Sequence, residues 1–192
     1  MNEKPYNPLE RKNLGGSVAK ALLEREPVRM DKLNKFNGAG VYTIYYTGDF
    51  GCYQPIAHAN QDGRFRLPIY VGKAIPAGAR KGGIGMGEEP GAVLFKRMNE
   101  HAKTLDCAEN LFIEHFFCRF LVVEDIWIPL SESLLIAKFN PIWNTLIDGF
   151  GNHDPGKGRY NQLRSRWDVL HPGRVWALKC QPREETAEQI AN

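Results

Sequence analysis

The sequence predicts a small α/β (α+β) fold, a short sheet covered by helices, and two observations carry that reading. Runs rich in β-branched and aromatic residues alternate with stretches of helical apolar spacing, in the order strand, strand, helix, strand, helix. A hydrophobic fraction of 43% over 192 residues is enough for one packed core, with elaborations.

Residues 1–13 are polar and read as a loose start. Ser17 to Glu26 has the spacing of a short helix stopped by Pro27. Gly38-Ala39-Gly40 punctuates the entry to a strand over Val41–Tyr46, and residues 47–67, with Gly48, Gly51, Pro55, Asn60 and Gly63, read as loop. Leu67 to Gly72 reads as a second strand. The glycine-rich stretch from Pro76 to Gly91 has little to pack and is expected to be mobile. Ala92 to Leu105 is the next helix, Leu111 to Glu124 a long strand-like run, and Leu130 to Phe139 a helix ended by Asn140-Pro141. The last forty-odd residues hold short helical pieces between glycine and proline turns.

Several classes of function are disfavoured at once. No apolar run approaches the ~18 residues of a membrane span, and Met1–Tyr6 lacks the basic-then-apolar pattern of a signal peptide. A cytoplasmic protein without a membrane partner is expected. The cysteines Cys52, Cys107, Cys118 and Cys180 form no C-x-x-C pair. Reduced thiols are the reading preferred to a zinc site from Cys107, His115 and Cys118.

Charge is informative by its placement. From Arg64 to Lys103 there are eight Lys/Arg against three Glu, and from Asp154 to Cys180 six Lys/Arg against two Asp. The net charge is only +3, so positive charge is confined to these two segments. A polyanion such as DNA responds to local field, although solvated charged faces produce similar runs.

Two helices place ionisable groups beside their apolar stripes. Arg97 and His101 lie in one i, i+4 row with Val93. Glu132 shares a row with Leu135, Ile136 and Phe139, on the opposite side from Ser131 and Lys138. A carboxylate facing a core needs a cation, a metal or dense hydrogen bonding. An Arg97–Glu132 ion pair is one reading, a reaction site the other. Tyr42 and Tyr70 in their strands read equally as core aromatics, and Lys73 as an exposed strand-end lysine.

Their order along the chain narrows this. Gly40-Val41-Tyr42, Tyr70-Val71-Gly72 with Lys73, Arg97-x-x-x-His101, Glu132 and Asn144 together resemble the GIY-YIG nuclease superfamily. Val stands for the usual Ile at both tripeptide centres. Asp148-Gly149-Phe150-Gly151-Asn152-His153 and Trp167-Asp168-Val169-Leu170-His171-Pro172-Gly173-Arg174 are similar to the type II restriction-endonuclease branch that cuts the palindrome CCGCGG.

The resemblance implies a GIY-YIG-type sheet flanked by helices over residues 38–146. An N-terminal extension with a short helix (1–37) precedes it, and a basic C-terminal extension (147–192) packs on it. It implies bacterial cytoplasm and phosphodiester hydrolysis with one divalent metal, Mg²⁺, for which Mn²⁺ would substitute. Glu132 would hold the metal, which favours hard carboxylates, and Arg97 would clamp phosphate. Tyr42 would activate the water with His101 accepting its proton and Lys73 stabilising a phenolate, while Tyr70 positions phosphate or water and Asn144 orders the site.

Double-stranded DNA is the implied partner, contacted by Arg64, Arg66, Arg80, Lys81, Lys157, Arg159, Arg164 and Arg166. Cutting both strands of a palindrome implies a homodimer. A DNA methyltransferase is the genetic partner that protects the host. The competing readings are a repair or homing nuclease with the same core, and a DNA-binding module without activity.

Overall fold

The structure, a computed structural model, describes residue 7, residues 9–76 and residues 90–192. The stretch 77–89, and with it Arg80 and Lys81, lies outside the described residues.

Four strands form one antiparallel sheet: β1 (Val28–Arg29), β2 (Gly40–Tyr46), β3 (Tyr70–Ala74) and β4 (Phe116–Val122), in the order β1-β4-β2-β3. Helices α1 (Arg11–Leu23), α2 (Gln54–Asn60), α3 (Val93–Cys107), α4 (Ile128–Phe139), α5 (Ile142–Thr145), α6 (Arg166–Leu170) and α7 (Ala187–Ala191) cover it.

The run of β-branched and aromatic residues in β2 makes it the central strand, buried along its whole length. Its side chains alternate between two cores. Tyr42, Ile44 and Tyr46 join Leu94, Met98 and Leu105 of α3 with Trp143, Phe150 and Trp167. Val41 joins Val71 of β3, Ala19 and Leu22 of α1, and Ile128 and Leu135 of α4. Among the described residues, no helix is long and apolar enough to cross a membrane.

Several boundaries differ from the sequence reading. Residues 54–60 form α2 rather than loop, because Pro55 sits in the first helical turn, where its missing N–H and fixed φ are harmless. Its last residue, Asn60, then binds both the N–H and the C=O of Leu67, at 2.9 and 2.8 Å. That bond locks Leu67 to the helix, Pro68 has no donor to offer, and β3 begins only at Tyr70. The strand-like run at 111–124 shortens to Phe116–Val122 because residues 113–115 turn as 3₁₀. Helix α1 starts at Arg11, earlier than Ser17. On α4 the buried row is Ile128, Ser131 and Leu135, so Ser131 faces inward, its hydroxyl bonded to the Trp127 carbonyl, and Glu132 stands at the margin. The helix ends as expected, at Asn140 in the left-handed region (φ 45°) before Pro141.

Candidate active site

β3 is an edge strand, and its register on β2 distributes the candidate residues over both faces of the sheet. Tyr70 pairs with Ile44 and Gly72 with Tyr42, so Tyr70 and Tyr42 stand on one face. Lys73 pairs with Val41 and stands on the other. Gly72 lies between them. A β-carbon there would fall 2.3 Å from the Tyr42 hydroxyl oxygen, so the absent side chain is what lets the phenol lie across β3. The outward N–H and C=O of Val71 are both taken by the Asn144 amide, each at 2.8 Å, and the Ile69 carbonyl accepts from the Trp143 N–H. Helix α5 thus fixes the free edge that carries Tyr70, Gly72 and Lys73.

On the first face the Tyr42 hydroxyl lies 2.6 Å from Nε2 of His101, which α3 contributes one turn after Arg97. Burial holds the phenol well above its ordinary pKa, with Tyr70 adding to the effect and Arg97 opposing it. Burial likewise pushes His101 well below the usual imidazole range, assisted by the positive fields of Arg97, His153 and Arg174. Both groups are therefore neutral at pH 7. The O–H donates to Nε2, and the imidazole proton is assigned to Nδ1. The His101 ring stacks on Phe150, with centroids 4.5 Å apart and planes within 16°, and Tyr70 packs against the same ring edge-on.

Arg97 is held open toward solvent by the loop 149–153. Its guanidinium donates to the Gly151 carbonyl at 2.8 Å and to Glu100 at 3.1 Å, and lies against Nε2 of His153. On the second face Lys73 Nζ lies 2.5 Å from Oε2 of Glu132, and both side chains reach solvent. The Arg97–Glu132 ion pair that the sequence leaves open does not form: Glu132 pairs with Lys73, and Arg97 with Glu100.

Glu132 is a single carboxylate, and no group of three or more His, Cys, Asp or Glu that could hold a metal gathers among the described residues. A divalent cation at Oε1 would keep most of its shell as water and substrate oxygen, which is the habit of Mg²⁺. The neighbouring Lys73 limits the carboxylate charge available to it.

The basic residues divide into two kinds. Arg66, Lys157 and Arg159 are exposed. Arg64 is exposed but bonded to Asp62 and to the carbonyls of His58 and Gln61. Arg164 donates to the Ala177 and Leu178 carbonyls, and Arg166 forms a two-pronged pair with Glu185. Part of the charge excess in 154–180 is thus spent inside the protein, Arg174 included.

The sequence reading singled out 148–153 for its family resemblance but gave it no role in the site. Phe150, the Gly151 carbonyl and His153 all meet Arg97 or His101 and form its roof. A second tyrosine–histidine pair, Tyr53 with His171 at 2.7 Å, also escaped notice. Trp143 donates to Tyr53, Asn110 meets the other nitrogen of His171, and both Tyr53 and His171 are fully buried. That pair is core.

The family model described as the Eco29kI GIY-YIG domain matches residues 34–192, most of the chain. No curated protein matches it.

Proposed function

This chain belongs to the Eco29kI GIY-YIG family of restriction-type nucleases, and from that membership we propose that it cuts both strands of duplex DNA at a specific palindrome, CCGCGG, as a homodimeric type II restriction enzyme. The observation that carries the chemistry is the convergence at Gly72. A neutral tyrosine–histidine pair and an arginine stand on one face of an edge strand, and a carboxylate–lysine pair stands on the other.

In this reading the scissile phosphate docks against Arg97, whose planar fork suits two phosphate oxygens. As a water attacks phosphorus, Tyr42 takes a proton from it and passes its own to Nε2 of His101. A relay suits this site, because a free phenolate and a standing imidazolium are both disfavoured by burial. Arriving phosphate also offsets the Arg97 field that depresses His101, so proton acceptance improves when substrate is present. Tyr70 orients the phosphate, and Asn144 holds β3 in register beneath it. Glu132 is the residue to hold Mg²⁺, which when bound would supply charge stabilisation for the leaving 3′ oxygen. Lys73 adds fixed positive charge beside it. One such centre cuts one strand, so a twofold dimer supplies the second. Arg66, Lys157 and Arg159 are the residues best exposed for the DNA backbone.

Plasmid digestion in Mg²⁺ followed by mapping of the ends tests this. Discrete fragments ending within CCGCGG are expected. Nicks confined to junctions or flaps would favour a repair-type nuclease, and absence of cleavage a binding module.

A further inference from the structure

We propose that Arg174 is a positioning residue for the cleavage reaction, setting the loop that fixes His101 and Arg97 from a place that DNA cannot touch. The proposal rests on the nuclease reading above.

The Arg174 side chain is 5% exposed, and its Nε donates to Oδ1 of Asp168 at 2.7 Å. The other carboxylate oxygen of Asp168 accepts from the Ser165 hydroxyl at 2.6 Å. The guanidinium also lies against the rings of Trp167 and Trp176, 4.6 and 4.7 Å from their centroids. Of the groups that fix its plane, Asp168 and Trp167 are buried and Trp176 is partly so. Its remaining donors turn to one loop, reaching the Gly149 carbonyl at 2.8 Å, Asn152 at 3.0 Å and Phe150 at 3.3 Å. Three backbone carbonyls within four residues are held by one rigid fork.

That loop delivers the roof of the site: Phe150 under the His101 ring, the Gly151 carbonyl on Arg97, and His153 beside it. Two of its five residues are glycine, so side-chain packing alone gives it little definition. A buried ion pair is a poor way to gain stability, since apolar residues of like volume do as well. What the fork gives is direction. Lysine, with three donors at a point and no planar face, cannot reproduce it. The positive charge of Arg174 also joins that of Arg97 in keeping His101 neutral, while the phenols of Tyr42 and Tyr70 face the same ring uncharged.

The test uses the full chain. Arg174→Met removes charge and fork, and Arg174→Lys keeps the charge beside Asp168 and removes the fork alone. The imidazole NMR signals of the five histidines can be assigned by single replacements. His101 is expected to shift in both variants as the Phe150 ring leaves its face, while His58 on α2 and His115 before β4 stay unchanged. Single-turnover cleavage at saturating protein is expected to fall about 10²-fold, the scale of a ~1 Å displacement at a reacting group, with DNA affinity in EDTA within about threefold. In a His101→Ala background the loss should shrink to the part carried through Arg97. Folded variants with unmoved His101 signals or an unchanged rate constant would overturn the proposal. So would collapse of all histidine signals in both variants, because Arg174 would then hold the whole fold rather than the loop. Collapse in Arg174→Met alone leaves Arg174→Lys to decide. A wild-type protein that fails to cut, with His101 still responding to Arg174, preserves the linkage and defeats the nuclease reading instead.

Discussion

The Tyr42 hydroxyl and Nε2 of His101 are 2.6 Å apart, and the two residues are 0% and 2% exposed. At rest, a pair so placed is shielded from bulk water, which suits the proposed relay, in which the proton comes from the water at the docked phosphate. Tyr42→Phe removes the oxygen but scarcely changes the packed volume, so cleavage at saturating protein should fall by about 10²–10⁴-fold while stability holds. In the proposed relay His101→Ala should lose a similar factor, and the double variant little more than either single, because groups acting as one unit are non-additive. Losses that multiply in single-turnover measurements would show two independent roles.

The same burial makes the fold acid-sensitive. His101 lies well below its ordinary value and burial pushes His171 down to about 3. Both are neutral in the native state, whereas the unfolded chain takes up protons as pH falls through about 6.5. The unfolded state then binds more protons, so stability is full above that pH and is lost below it, by about 1.4 kcal/mol per pH unit for each histidine. Urea unfolding between pH 7 and 5.5, above the range of ordinary carboxylates, reads this directly. A flat profile would contradict it, and His101→Phe should roughly halve the slope.

Glu132→Ala should abolish Mg²⁺-dependent cleavage, by at least about 10²-fold, while DNA binding in EDTA is kept or improves because a negative charge is lost. Titrating Mn²⁺ into the wild type and the variant separates ligation from folding, since the paramagnetic ion broadens signals only where it binds. Equal broadening around Lys73 in both proteins would remove Glu132 from the metal site.

The exposed and the engaged arginines should part company in salt. Lys157→Gln with Arg159→Gln should lower the slope of log K against log salt by about 0.9 for each phosphate that is no longer neutralised. Arg166→Gln should leave that slope alone and lower thermal stability instead, since its fork is occupied by Glu185. A salt slope that responds equally to all three would mean the Glu185 pair opens on DNA.

This division was beyond the sequence because a local charge count treats every arginine as solvated. Arg174 and Arg166 are cancelled by Asp168 and Glu185, and Glu185 lies outside the counted segment. The central strand was legible from its unbroken run of β-branched and aromatic residues, the helix bearing Arg97 and His101 from its apolar period, and the helix bearing Glu132 from its apolar content and its Asn140-Pro141 stop. The faces of α4 were not fully so. A hydroxyl at Ser131 is buried at no great cost by bonding back to the Trp127 carbonyl one turn earlier, which rotates the buried row toward it. Helix α2 was hidden by Pro55 and Asn60, each a loop signal in isolation. The segment 148–153 stood out by its family resemblance, but its role as a roof was illegible because it lies in backbone carbonyls and one ring, and no pattern of residue types announces a carbonyl.

Gly72 offers the sharpest test of how the site is built. It stands in extended β3, where alanine is ordinarily tolerated and relieves unfolded-state entropy by ~0.4–1 kcal/mol. Here the cross-strand register puts the Tyr42 phenol over it, and an added β-carbon would lie 2.3 Å from the hydroxyl oxygen and 2.4 Å from the ring carbon that bears it. The ring must then swing away from His101, or β3 must move from β2. Gly72→Ala should cost about 1–3 kcal/mol, as overpacking does, and should also abolish cleavage although no reacting group is removed. Tyr42→Phe offers no relief, because the ring carbon still collides. Tyr42→Ala removes both of those contacts and leaves only Cε1 of Tyr70, at 2.9 Å, to give way, so in that background Gly72→Ala should cost far less. The double-mutant coupling energy from denaturant unfolding measures the collision without reference to activity. A coupling near zero would mean that the glycine serves some end other than the tyrosine laid across it.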